Sequence, residues 1–192
     1  MPNWVSTVFR VDGNDKEAFL DAVRLGAEGR ENVLFCNQFV PIPKTYVNYD
    51  TTNYSAISGA IGHKLHIGDK LPSYGAVRTK SGKVTKKYLD AFAKAETRQR
   101  ERYGAVGWYD WACKYWGTKW DVTDFHMDGN AVEFCTAWSF PEPVFKVIAR
   151  RYDVKIDGSF DGEDFHGYFY IRNRELRVEY LDGSGENDIH IF

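Results

Sequence analysis

The sequence predicts an α+β fold with a mainly antiparallel sheet, and three observations carry this prediction. The chain opens on a strand with two-residue alternation, its middle holds helical patterns, and it closes on a run of short strands divided by turns. Short turns join antiparallel neighbours, so the closing strands are expected to form a meander. Strands and helices segregated in this way are typical of the α+β class.

The opening strand spans residues 4–11 and has one clean apolar face. This face is formed by Val5, Thr7, Phe9 and Val11. The turn at residues 12–14 leads into a helix that Asn14 or Asp15 is expected to cap and that Gly26 or Gly29 ends. The buried stripe of this helix is expected to contain Phe19, Leu20, Val23 and Leu25.

The next part of the chain changes in character. The apolar run at residues 33–40 is closed by Pro41-Ile42-Pro43. Residues 44–81 are rich in Gly, Tyr, Thr, Asn and Ser and show little periodicity. Order resumes in a predicted helix over residues 85–103, which has a narrow apolar stripe and a basic outer face.

The composition fits one folded domain. A chain of 192 residues with 43% apolar and 16% aromatic residues buries a sizeable core without a structural metal. We expect a single domain over residues 1–192, with a basic, Gly- and Tyr-rich insertion at about residues 44–103. The three cysteines form no CxxC pair and are expected to be small buried side chains. The sequence has no secretory leader and no apolar run near about 18 residues, so we expect a reducing cytoplasm and no membrane.

Aromatic residues dominate the segment after the basic helix. A helix is predicted over residues 105–116, a strand over 118–123, a turn at 128–130 and a strand over 131–139. The last of these strands carries apolar residues on both faces, so it is expected to be central, with Trp138 nearly inaccessible. Truncation of that side chain to Ala would then cost about 3–5 kcal/mol.

The C-terminal part is expected to complete the sheet. Pro141 begins a helix that stops at Tyr152-Asp153, since Pro suits the first turn of a helix. The strands of the meander are predicted over residues 154–160, 165–172, 175–181 and 188–192. Helices packed on one face of this sheet would cover its apolar side.

Several segments resemble a known family. They are the opening PNW, Pro41-Ile42-Pro43, WYDWACKYWGTKWD, FCTAWSFPEP and YDVKIDGSFDGEDFHGYFYI. Together they resemble the YubB-like proteins of plasmids and phages, over residues 1–43 and 104–181. The resemblance implies a ferredoxin-like fold for the C-terminal part and carriage on a mobile genetic element. It offers no catalytic residue to carry over, and we predict no cofactor.

Charge is distributed unevenly along the chain. Residues 64–102 hold eleven Lys and Arg against four acids, whereas residues 153–192 hold ten acids against four Lys and Arg. The basic segment suits an acidic protein surface or nucleic-acid phosphates, and salt weakens both kinds of contact. A solvated helix face is the third interpretation. The predicted partner-binding residues are Lys80, Lys83, Lys86, Lys87, Lys94, Arg98, Arg100 and Arg102.

Aromatic side chains offer an alternative site. Tyr168 and Tyr170 fall on one face of a predicted strand, opposite Phe169, where exposed rings would stack on nucleobases. The tryptophans of the aromatic segment also have π-faces, but their helical spacing favours core packing. They are Trp108, Trp111, Trp116 and Trp120.

Three motifs place histidine near a carboxylate. They are His63-Lys-Leu-His66 with Asp69, Asp124-Phe125-His126, and Asp164-Phe165-His166 with the adjacent Glu163. Imidazole and carboxylate bind zinc, and a His beside an acid transfers protons. The two His of the first motif need a helix to converge, however, and the glycines around it oppose one. We therefore predict no metal and no catalytic residue.

These observations favour a non-enzymatic binding protein over an enzyme. From the resemblance we expect a phage or mobile-element protein that inhibits a host factor such as a defence system. Its partner would be a host protein or a protein–nucleic-acid complex. A nucleic-acid-binding protein that uses residues 64–102 is the first alternative, and a metal-dependent hydrolase is the second.

Overall fold

The structure is a computed structural model that describes residues 3–27, 33–47, 67–68 and 82–181. The chain divides into two compact units. The sheet unit joins Met1–Pro41 to Tyr115–Phe192, and the middle unit is Ile42–Lys114. A single domain over residues 1–192 with an insertion at about 44–103 stays a prediction. The features that lie outside the described residues are Lys80, His63, His66, Asp69 and the predicted strand over 188–192.

The described residues form strands and helices that we number in chain order. They are β1 (Trp4–Gly13), α1 (Lys16–Ala27), α2 (Phe35–Phe39), α3 (Lys44–Val47), α4 (Lys86–Tyr103), α5 (Trp108–Tyr115), β2 (Thr123–Asp128), β3 (Ala131–Ala137), α6 (Glu142–Arg151), β4 (Val154–Asp161), β5 (His166–Arg172) and β6 (Glu175–Leu181). The strands all belong to the sheet unit, together with α1, α2 and α6. Within the described residues, no helix is both long and apolar enough to cross a membrane.

The six strands form one antiparallel sheet in the order β2-β3-β1-β4-β5-β6. The run β1-α1-β2-β3-α6-β4 with spatial order 2-3-1-4 is the ferredoxin-like arrangement, in which a split βαβ unit leaves room for a strand between its two strands. Strands β5 and β6 extend one edge as a meander. The predicted α+β, ferredoxin-like fold is confirmed, and its central strand β1 comes from the N-terminus of the chain.

The core lies on one side of the sheet, which we call the covered face. Phe9 of β1 is 1% exposed, and its ring centroid is 6.5 Å from that of Phe19 in α1, 6.3 Å from Phe35 in α2 and 5.3 Å from Phe145 in α6. Aromatic pairs at these distances add to the free energy gained by burial. Helices α1, α2 and α6 therefore pack on one face of the sheet, as predicted.

Helix α1 buries a different residue in its last turn from the one predicted. Leu25 is 60% exposed, and Gly26 is buried in its place. A Cβ at position 26 would lie 3.1 Å from the carbonyl oxygen of Leu34, so the chain that enters α2 packs directly against this glycine. Leu25 faces outwards because, at about 100° per residue, it lies on the opposite side of the helix from Phe19, Val23 and Gly26. The apolar run at residues 33–40 contains helix α2, which packs against α1 at this glycine.

Strand β3 is fully covered on one face, and its other face is covered only at its end, where Ala137 is buried. Val132, Phe134 and Thr136 are buried, whereas Glu133, between them in sequence, is exposed. The predicted inaccessibility of Trp138 is wrong: this residue is 52% exposed and has a φ of 74°. The left-handed backbone ends the strand at Ala137, so the alternation of faces does not reach the tryptophan.

Other predictions around β3 also need correction. Of the strand predicted over residues 118–123, only Thr123 is in a strand, as the first residue of β2. The side chains of Thr118 and Asp121 instead bond to backbone groups distant in sequence. Of the aromatic cluster, Trp111 and Trp116 are 6% exposed as predicted, but Trp120 is 38% exposed. Among the cysteines, Cys36 is buried and Cys113 is exposed.

Candidate functional site

Helix α4 presents the predicted basic face. It begins at Lys86 because the Thr85 hydroxyl oxygen accepts a hydrogen bond from the Tyr88 amide (3.2 Å), as an N-cap does. It ends at Tyr103 because Gly104 adopts a left-handed φ of 69°, and the Gly104 amide donates to the Arg100 carbonyl oxygen. Both ends of the helix are therefore fixed by local interactions.

Four of the predicted cations fall on one side of α4, which we call the basic stripe. They are Lys87, Lys94, Arg98 and Arg102. At about 100° per residue they lie within an arc of about 80°, and they extend over about 22 Å of the helix axis. All four side chains are exposed. None of them forms an ion pair with another residue that the structure describes.

The other predicted cations lie elsewhere. Lys86 and Arg100 fall on a different side of the helix, and the Arg100 guanidinium is paired with Glu96 at 3.1 Å. Lys83 precedes the helix. The edge of the basic stripe is formed by two acids, Asp90 and Glu101, which the same helical geometry places next to Lys94. The stripe is therefore a line of cations bordered by negative charge.

The second face of the sheet, which we call the open face, carries exposed apolar side chains at its middle. Trp4 is 41% exposed and Val8 is 42% exposed, although β1 has a neighbouring strand on each side. The ring of Trp4 lies 6.3 Å from that of Trp120, and the Lys119 ammonium lies 4.3 Å from the Trp120 ring centroid. Exposed aromatic and aliphatic groups that lie together mark interaction surfaces more often than single exposed residues do.

The strand register shows which charged residues share this open face. One row across the sheet contains His126, Glu133, Val8, Ser159, Tyr168 and Glu179. The next row contains Cys135, Ser6, Asp161, His166 and Leu181. These two rows hold three acids and no Lys or Arg at the paired strand positions. We call them, with Trp4, the acidic half of the open face.

The other half of the open face is balanced in charge. Its basic residues are Arg10, Lys155, Arg172 and Arg177, and its acids are Asp12, Asp128, Asp157 and Glu175. The Arg172 guanidinium contacts the Asp157 carboxylate at 2.5 Å. Both groups are partly exposed, so this pair contributes little to stability.

Tyr168 and Tyr170 share the open face, as the sequence predicts. Both are half-buried and line a shallow hollow of about 260 Å³ formed by β1, β4 and β5. Tyr168 lies between Ser159 and Glu179 in the register, and the Tyr170 hydroxyl donates to the Glu179 carboxylate at 3.3 Å. The Glu179 carboxylate repels phosphate and so disfavours stacking of nucleic acid on these rings. Stacking on Tyr168 and Tyr170 stays a prediction.

The segment WGTKWD, which carried part of the family resemblance, serves a structural role. The Trp116 indole N–H donates to the Val40 carbonyl oxygen at 2.7 Å, at the C-terminal end of α2. The Asp121 carboxylate accepts hydrogen bonds from the amides of Cys36 (2.7 Å) and Asn37 (2.9 Å), at its N-terminal end. An acid from a distant segment thus caps α2, and the two ends of this short helix are held by one loop.

At this cap, burial and hydrogen bonding shift the pKa of Asp121 in opposite directions. Burial raises the pKa of Asp121, and the amide hydrogen bonds from Asn37, Cys36 and Val122 partly offset the rise. Burial also raises the pKa of the Cys36 thiol well above its ordinary value, and the nearby Asp121 carboxylate raises it further. A buried thiol with a raised pKa is a poor nucleophile, so this pair is structural.

The predicted histidine motifs are not brought together. His126 lies on β2 and His166 on β5, four strand positions apart, which is about 19 Å at ordinary strand spacing. Among the residues that the structure describes, no three His, Cys, Asp or Glu side chains are grouped to hold a metal ion. His63, His66 and Asp69 lie outside those residues.

Trp4, Val8 and Glu133 form part of the open face, although none of them is predicted from the sequence as a surface-forming residue. The available signal was the polar side of β1, on which Trp4 and Val8 stand where solvent-facing residues are expected. Glu133 and Asp161 carry no such signal, because they approach β1 only through long-range pairing.

The C-terminal part of the chain is similar to a described protein family. Residues 115–190, less than half of the chain, match the family described as "Ferredoxin-like domain in Api92-like protein". No curated protein matches the chain. A solved structure, a protein api92 from Yersinia pseudotuberculosis, is similar at 11% identity with a TM-score of 0.43, over 95% of this chain and 98% of that chain. The YubB-like resemblance and an origin in phages or plasmids stay predictions.

Proposed function

We propose that this chain is a non-enzymatic binding protein that docks an acidic surface of a partner protein on the basic stripe of α4. The carrying observation is the alignment of Lys87, Lys94, Arg98 and Arg102 on one exposed side of a helix with capped ends. Such a preformed line of cations speeds association with an acidic surface and fixes the orientation of the two proteins.

The borders of the stripe favour a protein over nucleic acid. Asp90 and Glu101 stand beside Lys94 and would face a continuous phosphate backbone with negative charge. A folded partner can match a mixed pattern of charges, which makes the contact selective. Tyr88 of the same helix is 4% exposed and offers no stacking surface to bases.

The narrower proposal is that the partner is a host protein, such as a component of a defence system, and that binding inhibits it. Its support is the resemblance to the YubB-like proteins of plasmids and phages, which implies a life on mobile elements. A protein of this kind acts by occupying a surface of its target, and an aligned basic stripe suits that role.

Paired charge reversals on one helix test the proposal. The variant Lys94→Glu with Arg98→Glu alters the stripe, and the control Lys86→Glu with Arg100→Glu makes the same change in net charge on another side of α4. Tagged proteins are used to capture partners from bacterial lysate, with and without nuclease, and the captured partner is then titrated. We expect the stripe variant to bind at least about tenfold more weakly than the control, with both variants folded.

Two outcomes contradict the proposal. Equal weakening by both pairs would mean that net charge, not the stripe, drives association. Loss of the partner on nuclease treatment, with a log–log salt dependence of the affinity, would assign the stripe to nucleic acid instead.

A further inference from the structure

The acidic half of the open face has the composition of a protein interface. Val8 lies at its centre and Trp4 at the first position of the same strand, each more than 40% exposed. The ring of Trp120 is next to Trp4, and that of Tyr168 is two strands from Val8. Tryptophan and tyrosine are the residues enriched where interfaces gain most of their binding energy. Apolar groups at the middle of a sheet face, rather than at its edge, form a contact that a partner can cover fully.

Acids outnumber cations around this apolar centre, where Arg10 follows Val8 on the same face of β1 and the Lys119 ammonium lies against the Trp120 ring. Glu133 lies directly beside Val8 in the register, Glu179 lies directly beside Tyr168, and Asp161 lies beside Ser6. None of these carboxylates forms an ion pair with a residue in the described part of the chain. A partner that covers the centre therefore meets an acidic border, and positive charge on that partner is attracted to it.

The dimensions of the surface set the shape of the partner. From β3 to β5 the face is about 14 Å wide at ordinary strand spacing, and one α-helix with its side chains is about 10–12 Å across. We propose that the acidic half of the open face docks one amphipathic helix of another protein, whose apolar stripe covers Trp4, Val8 and Tyr168 and whose flanking Lys or Arg residues meet Glu133, Asp161 and Glu179.

This second surface is independent of the basic stripe. The two surfaces belong to different units of the chain and have opposite charge, so a cationic helix is attracted to one and repelled by the other. Failure of either proposal therefore leaves the other standing.

The test uses the full chain and a synthetic peptide of about 14 residues, with Leu at helical spacing i, i+3, i+4 and i+7 and Lys elsewhere. A comparison peptide replaces every Lys by Glu. Affinity is measured by calorimetry, and the contact is located by NMR. At the open face, followed by the resonances of Trp4, Val8 and Tyr168, we expect the Leu–Lys peptide to bind at least about tenfold more tightly than the Leu–Glu peptide, which is attracted to the basic stripe instead.

Two pairs of variants of the protein sharpen the result. Val8→Lys adds one positive charge at the centre of the surface, and Ala18→Lys adds the same charge at an exposed site on α1. Glu133→Lys with Glu179→Lys reverses the border, and Glu17→Lys with Asp21→Lys reverses two exposed acids of α1. We expect Val8→Lys to bind the Leu–Lys peptide at least about tenfold more weakly than Ala18→Lys does. We expect the same difference between the variant of Glu133 and Glu179 and the variant of Glu17 and Asp21.

Three outcomes would overturn the inference. They are equal affinity of the two peptides for the open face, equal binding of the Leu–Lys peptide by the members of either variant pair, and resonance shifts by that peptide confined to other parts of the protein. Displacement of the peptide by a single-stranded oligonucleotide that shifts Tyr168 and Tyr170 would assign the face to nucleic acid and would also overturn it.

Discussion

At the residue scale, Asp121 connects one carboxyl group to the stability of helix α2. Its two carboxylate oxygens accept the amides of Cys36 and Asn37, and one of them also accepts the Val122 amide at 2.9 Å. In Asp121→Asn, one acceptor oxygen becomes an NH₂ donor that faces an amide N–H. We expect a loss of about 1–3 kcal/mol in the free energy of unfolding, because a buried amide loses its acceptor.

The size of this loss should depend on pH. Burial raises the pKa of Asp121 above its ordinary value of 3.8, so folding favours the protonated acid. The resulting stabilisation is fully present below pH 3.8 and is lost as the pH rises through the raised pKa of the folded state. Asparagine does not titrate, so the advantage of the wild type over Asp121→Asn should narrow as the pH rises above 3.8.

Denaturant titrations at a series of pH values check this expectation. Asp90→Asn, at an exposed position of α4, provides the control for removing one negative charge. If the difference in the free energy of unfolding between wild type and Asp121→Asn instead grows as the pH rises, the expectation is wrong. Hydrogen bonding to the carboxylate would then outweigh the effect of burial.

At the scale of elements, the turn after α5 depends on a glycine. Gly117 has a φ of 79°, and a Cβ at this position would lie 2.6 Å from Cδ of Pro143. Gly129, in the turn between β2 and β3, has a φ of 57°, and a Cβ there would have nothing within 4 Å, so this position isolates the backbone effect. We expect Gly129→Ala to cost about 1–2 kcal/mol from the left-handed backbone and Gly117→Ala to cost more, because the proline must also move.

Thermal or denaturant unfolding of the two variants measures this difference. The Ser139 hydroxyl donates to the Gly117 carbonyl oxygen, and the Thr118 hydroxyl donates to that of Ala137 at 2.9 Å, so the turn also anchors the end of β3. Equal losses for the two variants would show that the contact with Pro143 relaxes freely.

Elements whose pattern is local can be predicted from the sequence. The alternation of β1 and the apolar spacing of α4 depend on neighbours within a few residues, and the predictions for both elements agree with the structure. The segment 118–123 has strand-like composition, but its polar groups bond to residues distant in sequence, which no local pattern shows. The prediction for Trp138 is wrong because its left-handed φ interrupts the alternation on which that prediction rests.

The same distinction applies to the candidate surfaces. The basic stripe follows from helical spacing alone, so its four residues can be named from the sequence. The open face joins Glu133, Val8 and Tyr168 from β3, β1 and β5, whose order in the sheet differs from their order in the chain. Only the register brings these residues into one row.

At the scale of the whole molecule, the uneven charge of the sequence divides between the two units. The basic stripe belongs to the middle unit, and Glu133, Asp161 and Glu179 belong to the sheet unit. A chain with a net charge of only −2 therefore carries two surfaces of opposite sign. Because each surface lies within one unit, the units offer a direct way to separate the two proposed contacts.

The last prediction is that the sheet unit folds by itself. All six described strands and the aromatic contacts of Phe9 lie within it, and the Trp116 indole bonds to the Val40 carbonyl oxygen, so the two ends left by removing residues 42–114 lie close together. A Gly/Ser linker of about six residues, which reaches about 20 Å when extended, is long enough to join Pro41 to Tyr115.

We expect this shortened protein to unfold cooperatively in denaturant and to keep the near-ultraviolet circular dichroism of packed aromatic residues. The same protein carrying Phe9→Ala is the control, and it should lose about 3–5 kcal/mol because it leaves a cavity beneath three helices. The shortened protein should still bind the Leu–Lys peptide and should no longer bind the partner of the basic stripe. A shortened chain that shows no cooperative transition would instead support one indivisible domain over residues 1–192.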